Sequence, residues 1–138
     1  TRGRTRSKDK DKVIEEVKSL VDNGYKEVVL TGIHTGRYGS DLKTSFPELL
    51  NELVKIDKLE RLRISSIEIT ELDDELANLD TSNITNFNYT FGYCSKLTNI
   101  DVSNLNTSNA KYIQSVFYYC SKLESIDFST WDTRKESQ

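Results

Sequence analysis

The chain of 138 residues contains no methionine, one proline, one histidine and two cysteines. Two cysteines cannot build a disulfide scaffold, and one histidine with two cysteines cannot close a four-ligand zinc site. No apolar run reaches the roughly 18 residues of a transmembrane helix. The formal net charge is −3, so there is no global basic field for nucleic acid. The basic opening Thr1–Lys12 has no apolar stretch behind it and is not a signal peptide. With Thr1 in place of a start methionine, the expectation is a segment of something longer.

What is present falls into two unlike halves. Residues 1–77 carry 14 Lys/Arg and 16 Asp/Glu, against 5 and 6 in residues 78–138. Aromatics run the other way: Tyr25, Tyr38 and Phe46 stand in the first half and ten in the second. Such a compositional shift marks a candidate boundary.

In the first half, Val13, Ile14, Val17, Leu20 and Val21 follow one helix face, with Asp9 as N-cap and Asn23-Gly24 as stop. The run 27–31, short and β-branched, reads as a buried strand. Pro47 suits the first turn of a second helix, whose apolar face is Leu49, Leu50, Leu53 and Val54. Residues 62–67 read as a second strand, and Thr70-Glu71-Leu72-Asp73 as the start of a short helix. Alternating helix and strand predicts an α/β arrangement with a parallel sheet or barrel wall. Ligands of such folds sit at the C-terminal strand ends, here Thr31–His34 and Ser65–Glu68.

The segments "LTGIHTGRYG" and "RLRISSIE", within residues 2–76, resemble one enzyme family. It is that of the radical S-adenosylmethionine tRNA methylthiotransferases, in the branch that modifies threonylcarbamoyladenosine beside the anticodon. The resemblance implies a partial βα-barrel and, in the intact family, S-adenosylmethionine and a 4Fe–4S cluster held by a C-x-x-x-C-x-x-C motif. That motif is absent from this sequence, and Cys94 and Cys120 have the wrong spacing and place to replace it. This chain is therefore expected to bind neither group and to be inactive alone. By resemblance, Thr31, Gly32, Ile33, His34, Ser65, Ser66 and Glu68 face the cofactor mouth. A plain turn at Gly32 and a plain strand end at Ser65-Ser66 account for the same residues. Arg2, Arg4 and Arg6 are candidate contacts to tRNA phosphates in the intact enzyme, or a solvated terminus here.

The second half repeats itself. Thr81, Ser82, Asn83, Phe91, Tyr93, Cys94, Ser95, Lys96, Leu97, Ile100 and Asp101 recur, in the same order and at a constant offset of 26, between Thr107 and Asp127. A fixed period in this range signals a solenoid. Ile84, Phe87, Phe91 and Cys94 have helical spacing, while Leu97, Ile100 and Val102 follow the L-x-x-L-x-L strand pattern. Counting back by one period from Leu97 and Ile100 reaches Glu71 and Asp74, so the pattern is expected to begin near Leu76–Leu79. Residues 79–133 resemble the BspA-like leucine-rich repeats of bacterial surface proteins, which implies adhesion and a protein partner. Cys94 and Cys120 read as small buried apolar residues. Tyr89, Tyr93, Tyr118, Tyr119 and Trp131 are a candidate binding face.

The fold expected is thus a helix–strand–helix–strand barrel fragment (1–77) packed weakly on about two repeat units (78–138). The enzyme resemblance implies a cytoplasmic location, and the repeats the cell surface.

Overall fold

The computed structural model describes residues 6–31, 38–65, 71–72 and 79–133. It is a mixed α/β structure with two helices and small parallel sheets. Helix α1 (Lys10–Asp22) starts where Asp9 accepts the Lys12 N–H at 3.2 Å. It stops at Asn23, and Gly24 follows in the left-handed region. Val17 and Val21 of the expected face are buried, but Leu20 is exposed.

Helix α2 (Phe46–Val54) has Pro47 in its first turn and a capping box that the sequence reading missed. Glu48 N donates to Ser45 Oγ at 3.3 Å, and Ser45 N donates back to Glu48 Oε2 at 3.1 Å. The signal was legible as Ser-x-x-Glu before an apolar run. Phe46, Leu49, Leu50, Leu53 and Val54 are all buried. Burying a side chain such as Leu53 contributes about 1.5–3 kcal/mol.

Strand β1 (Glu27–Thr31) pairs in parallel with β2 (Arg61–Ser65), Glu27 opposite Arg61 and Thr31 opposite Ser65. The expectation that β1 is buried on both faces is corrected. Val28 is buried in the core but Val29, on the other face, is 42% exposed, because the core covers only one face of the strand.

The helix start expected at Thr70–Asp73 is also corrected. Glu71–Leu72 form strand β3, which pairs in parallel with β4 (Asn99–Ile100). A long-range ladder overrides the local cap signal. Its register sets Leu72 opposite Ile100, an offset of 28 rather than 26. Counting back by the repeat period therefore pointed two residues past the one that pairs with Ile100.

Nor do Ile84, Phe87, Phe91 and Cys94 form a helix. Tyr89 (φ 57°) and Tyr93 (φ 66°) lie in the left-handed region, as do their counterparts in the second unit, Ser115 (φ 53°) and Tyr119 (φ 58°). A left-handed residue every four positions breaks a helix while keeping apolar residues three or four apart. The result is a ladder of tight turns. Gly92 N bonds Tyr89 O at 2.9 Å and Cys94 N bonds Phe91 O at 3.3 Å, with Tyr118 N to Ser115 O and Cys120 N to Phe117 O in the second unit. The units stack through Phe87, Tyr89, Phe91 and Tyr93, whose N–H groups donate to the carbonyls of Tyr112, Gln114, Val116 and Tyr118.

The two halves share one continuous core, running from Val17 through Leu53 and Leu62 to Phe87, Val102 and Trp131. Strand β2 is its hinge element, bonded to β1 on one edge and to the first turn ladder on the other. Thr85 N and Asn86 N both donate to Glu60 O, at 3.0 and 3.1 Å, and Ile64 N donates to Thr90 O at 2.6 Å. The contact between the halves is therefore a built hydrogen-bonded interface, where the composition shift suggested weak packing.

Candidate functional site

Of the residues assigned to the cofactor mouth, Thr31 and the backbone of Ser65 are paired at the C-terminal end of the β1–β2 pair. Thr31 is exposed. Gly32, Ile33, His34, Ser66 and Glu68 lie outside the described residues, as do Arg2 and Arg4. Arg6 is exposed. Its field helps hold Asp41 below the ordinary carboxylate range, after the hydrogen bonds that Ser7 supplies. Ser7 N bonds Asp41 Oδ2 at 2.8 Å, and Gly39 N donates to Ser7 Oγ at 2.9 Å. Ser7 is thus tied to the 38–41 turn.

Two hollows stand out. An apolar cavity of about 30 Å³ lies between the halves, walled by Leu50, Ile64, Leu79, Phe87, Phe91 and Leu105. That is room for about one water molecule, not for a cofactor. The other, an open surface hollow of about 340 Å³, runs between α1 and α2 past Lys18, Asp22, Glu52 and Lys55. Its mixed charges give it no preference for an ion of either sign.

The cysteines do not fit an iron–sulfur cluster. Cys94 is buried and its thiol donates to Ile64 O at 3.5 Å; Cys120 donates to Phe91 O at 3.1 Å. Burial pushes the Cys120 thiol up, away from the thiolate that a cluster requires. No group of three or more His, Cys, Asp or Glu able to hold a metal occurs among the described residues. Both cysteines act as small side chains at equivalent places on neighbouring units.

The structure does gather the tyrosines. Tyr93 and Tyr119 stack in parallel at 5.6 Å, and Tyr118 meets Tyr119 edge-on at 4.6 Å. Tyr118 also packs edge-on against Tyr89 and Tyr93, at 5.5 and 5.7 Å. Sequence reasoning missed Arg63, whose guanidinium lies 5.7 Å from the Tyr89 ring centroid. Arg63 comes from β2, so the surface draws on both halves. Its Nε is buried without a hydrogen-bond partner among the described residues, and its Nη1 lies 3.7 Å from Glu27. Trp131 does not join the face. It is buried, donates Nε1–H to Val102 O at 2.9 Å, and packs against Phe128 and Phe87.

A family model described as "Mycoplasma protein of unknown function, DUF285" matches residues 54–138. The chain belongs to this family. The match begins at the end of α2, so it takes in β2, the strand that the turn ladder bonds to. Curated relatives point elsewhere. The threonylcarbamoyladenosine tRNA methylthiotransferase MtaB of Bacillus subtilis is 52% identical over 77 residues, 54% of this chain and 17% of that protein. MtaB of Aquifex aeolicus is 46% identical over 81 residues, 59% of this chain and 20% of that protein. The tRNA-2-methylthio-N(6)-dimethylallyladenosine synthase of Carboxydothermus hydrogenoformans is 40% identical over 83 residues, 59% of this chain and 19% of that protein. The chain thus spans a fifth or less of these relatives. No solved structure matches it. The resemblance to methylthiotransferases in the first half is therefore shown, and the second half lies within the DUF285 match.

Proposed function

We propose that residues 1–77 are a piece of a radical S-adenosylmethionine barrel from a tRNA methylthiotransferase acting on threonylcarbamoyladenosine. Residues 78–138 are, in this reading, leucine-rich-repeat-like units that have replaced the rest of that barrel. The carrying observation is the parallel register that sets Thr31 beside Ser65 at one strand end. Ligands of α/β folds gather there, and the segments 32–34 and 66–68 continue from it. Identity of 40–52% to tRNA-modifying enzymes supports the same reading, and with it a cytoplasmic place and tRNA as the intact enzyme's partner. When bound, the family's cluster and S-adenosylmethionine supply a radical. Cys94 and Cys120, each bonded to a main-chain carbonyl, do not fit that cluster.

A graft tests the reading. Residues 2–76 replace the matching segment of the Bacillus subtilis relative, and tRNA methylthiolation is followed by mass spectrometry of nucleosides. Retained activity, with loss on Thr31→Val and Ser65→Ala, is the expected result. A folded but inactive graft sinks it.

One observation favours a second reading, a binding protein. The exposed tyrosine face with Arg63 has the composition of an interface core, rich in Tyr and Arg. A protein partner bound there would lose affinity on Tyr93→Ser and Tyr119→Ser without loss of fold. A partner whose affinity ignores both changes would exclude this face.

A further inference from the structure

Four tyrosines from two turn units meet at the surface, and two of them are matched. Tyr93 and Tyr119 hold the same place one repeat apart, and both have left-handed backbones, φ 66° and 58°. Their side chains therefore leave neighbouring rungs in the same direction. The rings lie parallel within 5°, with centroids 5.6 Å apart. That is ring contact. Both phenols are open to solvent, Tyr93 at 47% and Tyr119 at 64% exposure.

The other two rings are held differently. Tyr118 is wedged edge-on among Tyr89, Tyr93 and Tyr119. It meets each of those rings, so it can pass an electron between them, but it lies parallel to none. The Arg63 guanidinium, 5.7 Å from the Tyr89 centroid, disfavours loss of an electron from that ring. Tyr25 and Tyr112 are also exposed but stack on no ring among the described residues.

We propose that Tyr93 and Tyr119 are a cross-linking pair, joined by one-electron oxidation into a dityrosine that ties the two turn units covalently. The oxidant is hydrogen peroxide acting through a haem peroxidase. Each phenol gives up one electron and one proton, and the two hydrogens so removed reduce one peroxide to two waters. The two phenoxyl radicals then form a carbon–carbon bond between the ring positions next to the hydroxyl-bearing carbons. The hydrogens displaced from those positions move to the oxygens and restore both rings. This chemistry rests on the ring geometry alone and is independent of the enzyme reading.

The test treats the full chain with hydrogen peroxide and a haem peroxidase at several chain concentrations. The product is then reduced, alkylated and digested with trypsin. Reduction comes first because a Cys94–Cys120 disulfide would join the same peptides. Cleavage after Arg63, Lys96, Lys111 and Lys122 releases 64–96, with Tyr89 and Tyr93, and 112–122, with Tyr112, Tyr118 and Tyr119. The expected product is these two peptides joined and two hydrogens lighter than their sum, with fragment ions placing the bond at Tyr93 and Tyr119. It should form within one chain, so its yield should not depend on chain concentration. Tyr93→Phe and Tyr119→Phe keep the stacked rings and should each lose the product and most of the blue dityrosine emission. Tyr112→Phe should keep both. In urea, where the rings are no longer held together, the preference for this pair should vanish. The treated chain should unfold at higher urea than the untreated one, because a closed loop restricts the unfolded state, and treated Tyr119→Phe should show no such rise. Absence of the product overturns the proposal, as does a main product joined through Tyr112 or Tyr118. Cross-links that form only between chains, the same preference in urea, or no rise in the urea midpoint also overturn it.

Discussion

Ile64 and Thr90 are joined by a 2.6 Å backbone hydrogen bond across the line where the composition changes. Ile64 belongs to the β1–β2 pair and Thr90 to the first turn unit, and both are buried in one core. Neither half can lose its packing without stripping an edge from the other.

The two halves should therefore unfold together. Helical circular dichroism reports the first half, where both helices lie, and Trp131 fluorescence reports the second. Their urea transitions should coincide. Leu53→Ala should lower both by about 2–5 kcal/mol, and Phe87→Ala both by about 3–5 kcal/mol. Two separated transitions, each moved by one of the substitutions, would show independent units.

Arg61 is the second tie. Its Nε and Nη2 both reach Asn88 O, at 3.1 and 2.6 Å, while Nη1 lies 3.0 Å from Glu27. The side chain is 18% exposed, so the fork to the carbonyl is shielded while the pair to the more open Glu27 is screened. Arg61→Lys keeps the charge but not the fork. It should cost about 1–3 kcal/mol, the range for a charged hydrogen bond lost at a part-buried carbonyl. Glu27→Gln should cost less. Equal losses in the two variants would assign the tie to the ion pair instead.

The helices and the parallel pair were legible because their signals are local. Asp9, Asn23-Gly24 and Pro47 act on their own turns, and the apolar spacing of α2 has one reading once Pro47 opens it. The turn ladder was not legible as such. Apolar residues at 84, 87, 91 and 94 fit a helix and a four-residue turn ladder equally well, and tyrosine carries no sign that it will sit at positive φ. β3 was missed because its register is fixed by β4, a partner far along the chain. Within the site, the tyrosine cluster could be named from the repeat, but Arg63 could not. Nothing in the sequence shows that β2 lies against the first unit.

Acid should loosen the turns of the repeat. Asp101 Oδ1 accepts from Ser103 N at 2.9 Å, and Asp127 Oδ1 accepts from Ser129 N at 2.8 Å. These serine hydrogen bonds hold both carboxyls below the ordinary aspartate value, about 3.9 in an unfolded chain. A depressed folded pKa means the unfolded state binds more protons in this window. The contribution is complete above the unfolded value and fades as pH falls through the folded one. Asp101→Asn with Asp127→Asn keeps the turn acceptor and removes the titration. The acid limb of a stability–pH curve should be shallower in the double variant. An unchanged limb would place the acid sensitivity elsewhere, with Asp41 and Glu48 next in line because hydrogen bonds lower them too.

Two glycines with positive φ should respond differently to the same methyl group. Gly24 (φ +94°) ends α1 in open space, with nothing within 4 Å of an added Cβ. Gly39 (φ +82°) sits in the turn that holds Ser7 and Asp41, and an added Cβ there would overlap the Thr44 carbonyl. Gly24→Ala carries only the left-handed penalty, about 1–2 kcal/mol, offset in part by a stiffer unfolded chain. Gly39→Ala carries the same penalty and must also displace backbone, since Thr44 O belongs to the main chain just before the Ser45 cap. It should cost clearly more than Gly24→Ala. It should also speed amide exchange at Gly39, whose N–H is held by Ser7 Oγ, whereas Gly24→Ala leaves that amide alone. Equal costs with no change at Gly39 would mean that the 38–44 turn adjusts freely. Ser7 would then not be held by it.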